Sequence, residues 1–524
     1  MKIPTDIIKV YKDVHIWVGI VCGLMLFIAF YAGAITMFEK PLERWATPPS
    51  QLATAPPLQD AEKLLAAVLE KHPKAAQRYS IIINPSPDQP ARLIWSERGK
   101  KPRELIEYGA SFAPDGSLQT EKLRKATVAG LVDRMHQYVG LPLPDIVAQF
   151  LMGLVALAYA VALLSGLIVL LPTIVKDVFA LRIGKNFKRM WLDAHNALGI
   201  FSLPFHLVIA LTSVVFAFHT PFYEAQEHAL YGGEINWGEH EAAPRGTTPL
   251  PAVELLKRAN GQLPGFDVYE FGFQTQQDGN VEAIIMGLDV RHGTRGRTWM
   301  RTHLDPFTGE VDLHDLPGHM EDGWSEAVNA FFALHFGSFG GNPVRWLYVL
   351  MGLAGAALFY TGNVLWIESR RKKLHGAETV VQKRSAKVLG CLTVGIALGS
   401  VAGISATIAA TKWLPARVDD YALWHEAIYY VLFFACTGWA FVRGAAQGAI
   451  DLLWLCAALT LLIPLSSLAG LWGIGGAWSH PGSWPVDATA LVAVPCFLLI
   501  AHYTGKRMRT GHADSVWAAA SANA

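Results

Sequence analysis

WLDAHNALGIFSLPFHLVIALT, residues 191–212, is apolar enough to open a membrane span, yet it carries His195 and His206 among Leu, Ile, Phe and Ala. Ionisable side chains inside a bilayer are costly, and they mark pathways, relays or cofactor ligands. On a continuous helix the eleven-residue spacing puts these two imidazoles about 20° apart in phase and roughly 16 Å apart along the axis, on one face at two depths.

The rest of the chain sets the context. Its 524 residues are 52% hydrophobic and only 17% charged, with several apolar runs long enough to cross about 30 Å of hydrocarbon. The chain reads as a polytopic α-helical membrane protein with eight spans, at 14–38, 147–171, 194–218, 344–367, 387–410, 421–442, 448–470 and 487–504. The first is too long for a cleaved signal and no small-residue cleavage site follows it. Lys2, Lys9 and Lys12 precede the first span, and Lys176, Arg182, Lys185, Lys188 and Arg189 join the second to the third. Arg370, Arg371, Lys372, Lys373, Lys383 and Arg384 follow the fourth, and Lys506, Arg507 and Arg509 follow the eighth. The positive-inside rule places these segments, and both termini, on the cytoplasmic side, so that the two long connections lie outside. The formal net charge of +1 hides this local asymmetry and by itself says nothing about nucleic-acid or acidic partners, and no nucleic-acid partner is expected.

The division that follows is a first span (1–38), a first outer segment (39–146), a second and third span with their cytoplasmic loop (147–218), a second outer segment (219–343), a fourth span (344–372) and a four-helix extension (373–524). Each outer segment reads as a small α+β unit. In the first, the amphipathic AEKLLAAVLEKH (61–72) precedes the strand-like RYSIIIN (78–84) and ARLIWSE (91–97), then SFAPDGSLQT (111–120). In the second, PLPAVELLKRANG (249–261) precedes VYEFGFQ (268–274), VEAIIMGLD (281–289) and RTHLDPFTGEVDLHDL (301–316). Cys22, Cys391, Cys436, Cys456 and Cys496 all fall in spans, so neither outer segment holds a disulfide, and no CxxCH occurs to attach a c-type haem.

The order of pieces is an internal repeat. YKDVHIWVGI (11–20) matches WLDAHNALGI (191–200), aligning Asp13, His15 and Gly19 with Asp193, His195 and Gly199; RMHQYVGLPLP (134–144) matches ALHFGSFGGNP (333–343), aligning His136 with His335. The first four spans thus form two copies of a span, outer segment, span unit about a pseudo-two-fold axis along the membrane normal. A lone intramembrane His also serves as a snorkelling or helix-bridging group. Here His15, His136, His195, His206 and His335 all lie in the repeat, four of them in matched positions. Neutral imidazoles from facing helices, at two depths, are the ligand set of two non-covalent b haems. His15 and His195 would serve the inner one and His136, His206 and His335 the outer one, with the pairing open. In the extension, His425 and His502 read as structural or interfacial groups.

The residues DVHIWVGI (13–20), DAHNALGI (193–200), MHQYVGLPLP (135–144), LHFGSFGGNP (334–343) and LDPFTGEV (304–311) resemble the PepSY-associated transmembrane helix family, the iron-regulated inner-membrane proteins that include ferric-siderophore reductases. The resemblance covers about 8–372, and FAPDGSL (112–118) departs from the family's Asp-Pro-x-Thr-Gly turn. It implies a four-helix haem-binding core with two PepSY-like periplasmic domains. It also implies a haem-dependent oxidoreductase that passes electrons across the membrane to iron(III) held by a siderophore. Two other readings stand beside it: a b-type cytochrome serving another periplasmic acceptor, and a non-redox PepSY protein that binds peptides or restrains a protease. No Gly-rich nucleotide motif follows a strand, so electrons would come from quinol or a cytosolic reductase outside the chain.

Overall fold

A computed structural model describes residues 4–518 except 100–104, 125, 175–186, 232–247, 277–278, 290, 292–299, 315, 317–318, 320–322, 371–382, 416, 419, 480–481, 483 and 512–514. The cationic connections at 176–185 and 371–373, on which the expected orientation rests, fall outside these residues. The described chain forms two compact units: residues 1–46, 126–220 and 346–524, and residues 47–125 and 221–345.

The first unit is helical. Its elements are α1 (Thr5–Thr36), α2 (Glu39–Ala46), then α4 (Val128–Tyr138), α5 (Asp145–Leu170), α6 (Phe187–Phe201) and α7 (Leu203–Tyr231), followed by α10 (Gly341–Ser369), α11 (Arg384–Ala410), α12 (Tyr421–Leu471) and α13 (Trp484–Thr510). The numbers skipped belong to the second unit. Among the described residues six helices are long and apolar enough to cross a membrane, and the bent pair α6–α7 would make a seventh. The protein is therefore a multi-pass membrane protein. The spans expected at 421–442 and 448–470 both fall on α12, a 51-residue run broken at Gly444, whose φ of 76° lies outside helical space. Arg443 and Trp439 on one arm hold Asp451 on the other at 3.0 and 3.1 Å.

The expected span at 194–218 is not one straight helix. α6 and α7 meet at a 67° bend around Ser202. Pro204 has no N–H to return to the carbonyl four residues back, and its ring crowds that carbonyl, so the helix breaks just before it. The phase and rise between His195 and His206 expected of a continuous helix therefore do not hold.

In the extension, α11 approaches the first arm of α12 along Gly395, Gly399 and Gly403. A Cβ at these positions would lie 2.7 Å from Thr437 Cα, 3.0 Å from the Phe433 carbonyl and 2.8 Å from the Tyr429 ring. Small residues four apart let backbones touch, which is how helices gain van der Waals contact without a hydrophobic driving force. At the far end of α11, buried Lys412 lies 4.2 Å over the Trp45 ring and donates to Ser467 at 2.8 Å. Ser467 and the Trp45 indole N–H both donate to Asp487 at 2.9 Å. This buried polar cluster ties α2 to α12 and α13.

The second unit contains α3 (Ala61–Lys71), α8 (Ala252–Gln262), α9 (Gly323–Phe336) and strands β1 (Arg78–Ile82), β2 (Leu93–Arg98), β3 (Leu105–Phe112), β4 (Leu118–Lys122), β5 (Phe266–Thr275), β6 (Val281–Asp289) and β7 (Met300–Leu304). Each segment has the expected helix-then-strands order. The two segments do not build separate sheets, however: all strands join in one antiparallel sheet ordered β4-β3-β2-β1-β5-β6-β7. The halves meet where β1 pairs with β5, with Tyr79 opposite Phe273 and their rings stacked at 4.8 Å. Leu64 and Leu93 of the first segment and Leu255, Phe271 and Ile285 of the second are fully buried in a single core. The pairing removes two open strand edges and gives two small halves one adequate core.

Candidate functional site

α1 and α6 carry the repeat-related histidines to one place. The His15 and His195 rings stand edge to face, with centroids 6.2 Å apart and planes crossed at 72°. His15 Nδ1 donates to the Ala162 carbonyl of α5 at 2.8 Å. His195 Nδ1 is 3.1 Å from the Thr361 hydroxyl of α10, whose own proton goes to the Leu358 carbonyl at 2.9 Å. That hydroxyl can therefore only accept from the imidazole. Both rings thus carry their proton on Nδ1, and in the neutral ring Nε2 keeps its lone pair. This is how metal-binding imidazoles are oriented, by a hydrogen bond on the nitrogen that does not bind.

Each ring lies against a glycine of its partner helix. A Cβ on Gly166 would come within 2.8 Å of His15 Cε1, and one on Gly362 within 3.4 Å of His195 Cε1. Ala162, Ser165 and Gly166 stand 196 residues before Leu358, Thr361 and Gly362. The repeat seen at the histidines therefore extends to the residues that hold them. Sequence reading missed these residues, although the matched Ser-Gly and Thr-Gly pairs in spans two and four were the signal.

His206 lies on α7 with no exposed surface. Its Nδ1 shares a 2.5 Å hydrogen bond with the Tyr159 hydroxyl, its ring packs 5.5 Å from Phe30, and its buried Nε2 has no hydrogen-bond partner among the described residues. An unpaired buried polar atom costs about 1–3 kcal/mol, so native proteins keep few of them without a purpose. His136, on α4, donates from Nδ1 to the Ala29 carbonyl at 2.8 Å and abuts Gly33. His335 lies on α9 in the sheet-bearing unit, edge to face with Phe336 at 5.7 Å. The structure thus brings His15 to His195, sets His206 and His136 against successive residues of α1, and places His335 in the other unit.

The other histidines differ. Both ring nitrogens of buried His425 bond to hydroxyls, Nδ1 to Thr127 at 2.8 Å and Nε2 to Thr411 at 3.1 Å, which leaves neither for a ligand. His502 is exposed beside Tyr503. Arg134 of α4 pairs with Glu426 of α12 at 2.6 Å.

Among the described residues there is no cluster of three or more His, Cys, Asp or Glu that would cage a bare metal ion. Haem asks for less, because the porphyrin supplies four nitrogens and the protein only axial ligands. His15 and His195 would hold it through the Nε2 atoms that their Nδ1 hydrogen bonds leave with a lone pair. With the fixed tautomers, the glycine clearances and the partnerless His206 Nε2, these side chains fit that group.

No curated protein matches the chain. The family described as the PepSY-associated TM region matches residues 13–369, from the aspartate before His15 to the end of α10, and leaves the extension outside. The chain belongs to the PepSY-associated transmembrane family.

Proposed function

We propose that this protein is a di-haem b-type oxidoreductase of the bacterial inner membrane that reduces ferric siderophores on the periplasmic side. The observation that carries the reading is the paired, tautomer-fixed presentation of His15 and His195 from the two halves of the repeat. In this reading each arm of α12 crosses the bilayer, giving eight spans with both termini in the cytoplasm and the sheet-bearing unit in the periplasm. His15 and His195 hold the inner haem, and the outer one draws on His136 and His206.

Bound haem supplies one-electron transfer. The chain's residues do the rest. Ala162 and Thr361 fix the inner rings, and Gly166 and Gly362 let those rings seat against the neighbouring helices. Phe30 and Tyr159 pack on the His206 ring at 5.5 and 6.0 Å and, with Phe359, edge to face on one another at 5.2–5.7 Å, so that His206 is closed off from water. Iron(III) is gripped by hard oxygen chelators and iron(II) more weakly, so one electron loosens the complex without breaking the ligand. The electrons enter from quinol or a cytosolic reductase.

The test is stopped-flow mixing of dithionite-reduced protein with a panel of ferric siderophores. Reoxidation of the Soret band, with one iron(II) trapped per electron, supports the proposal. A haem protein that reoxidises with no ferric chelate would be a b-type cytochrome for another acceptor, and a protein with no Soret band would return the reading to a non-redox PepSY protein.

A further inference from the structure

We propose that Tyr159 is a positioning residue dedicated to His206, holding that ring through Nδ1 and making the outer redox site unlike the inner one. This inference rests on the haem reading and goes beyond it.

The argument starts from how the repeat fails. His206 has no counterpart in the first copy, where the residue 180 positions earlier is Leu26. Tyr159 and Gly355 stand 196 residues apart, the same offset as Gly166 and Gly362, so they occupy equivalent places on α5 and α10. Both converge on His206. The Tyr159 hydroxyl is 2.5 Å from Nδ1, while a Cβ on Gly355 would come within 2.9 Å of Cε1 and 2.4 Å of the Phe30 ring. A large residue at 355 would collide with the ring, and a glycine at 159 would leave Nδ1 without its bond. The departures at 159, 206 and 355 are therefore complementary and serve one imidazole.

The consequence is chemical. His15 and His136 donate to backbone carbonyls and His195 to a threonine already bonded to the backbone, whereas His206 alone is held by a phenol. Tyr159 is buried, and the hydroxyl has no other hydrogen bond among the described residues. With Nε2 given to a haem iron, the neutral ring's proton would sit on Nδ1, and the phenol, which can donate or accept, would take the accepting role. An oxygen acceptor there makes the imidazole a better donor to iron and favours the oxidised state. Loss of the hydroxyl should raise the potential at this site and leave the inner pair untouched.

The experiment uses the full-length protein with its haems. Spectroelectrochemical titration and low-temperature EPR of wild type and His206→Ala identify the component that depends on His206. Tyr159→Phe should retain haem content, move that component to higher potential and change its low-spin EPR signature, while the component that depends on His195 stays as in wild type. Tyr159→Leu, which also lacks the hydroxyl, serves if the Phe variant does not accumulate. Unchanged titration and EPR in a haem-loaded variant overturn the proposal alone, as does an equal shift of both components. Wild-type protein without haem overturns the haem reading, and this proposal with it.

Discussion

His15 and His195, 180 residues apart in the chain, meet edge to face at 6.2 Å, each with Nδ1 bonded to the partner helix of its own repeat copy. A site built by two half-units from equivalent residues should fail as one. His15→Ala and His195→Ala are expected to remove the same component of the reduced-minus-oxidised spectrum, about half the haem signal, and to leave the other. Loss of different components would mean that the two rings do not share a site.

The glycine clearances give an order of severity. A methyl at 166 would sit 2.8 Å from the His15 ring, and one at 362 would sit 3.4 Å from the His195 ring, a contact that a small shift relieves. Gly166→Ala should therefore cut haem incorporation at the inner site severalfold, and Gly362→Ala only slightly. Haem-to-protein absorbance ratios of the purified variants check the ranking, and the reverse order would show that ring seating does not govern the site.

The shared sheet predicts shared collapse. Phe271 is fully buried in the core that both outer segments line, so Phe271→Ala should cost about 3–5 kcal/mol. Limited proteolysis of the variant should cut in both 47–125 and 250–314 at similar rates. Cleavage confined to the second segment would argue for two independent domains.

The cluster at Lys412 predicts a pH dependence. Burial pushes its ammonium down to about 8, with Asp487 pulling the other way. Between that value and the ordinary lysine range near 10.4, the unfolded chain binds the extra proton, so stability should rise with pH across this window. Lys412→Met should abolish that slope. Asp487→Asn leaves the buried cation without its carboxylate and should be the costlier change, by about 3–5 kcal/mol. Thermal unfolding of detergent-solubilised protein from pH 7 to 10.5 checks both, and a slope that survives in Lys412→Met would assign it to another group.

Much of this was legible because repeats leave their mark on sequence. The two DxH motifs fixed which histidines are equivalent, and the helix-then-strands order located α3, α8 and most of the strands. The hairpin around Asp115–Gly116 and the turn after Asp305 were readable from their residues, since Gly116 and Gly309 adopt φ of 82° and 70°. The bend at Ser202 was signalled by Pro204 and overlooked, because hydropathy runs unbroken through it. The joining of β1 to β5 could not be read locally: each half carries its own helix and turns, and only long-range edge pairing decides whether they share a sheet. Tyr159 was hidden for a similar reason, since its partner is 47 residues away and its repeat-mate is a glycine.

The most direct test of the central claim is a haem count. Pyridine haemochrome analysis of the fully loaded, purified protein, with acid-acetone extraction, should give about two extractable b haems per chain, falling to about one in His195→Ala. A wild-type value of one, or haem that stays bound through acid-acetone, would contradict the two-site account.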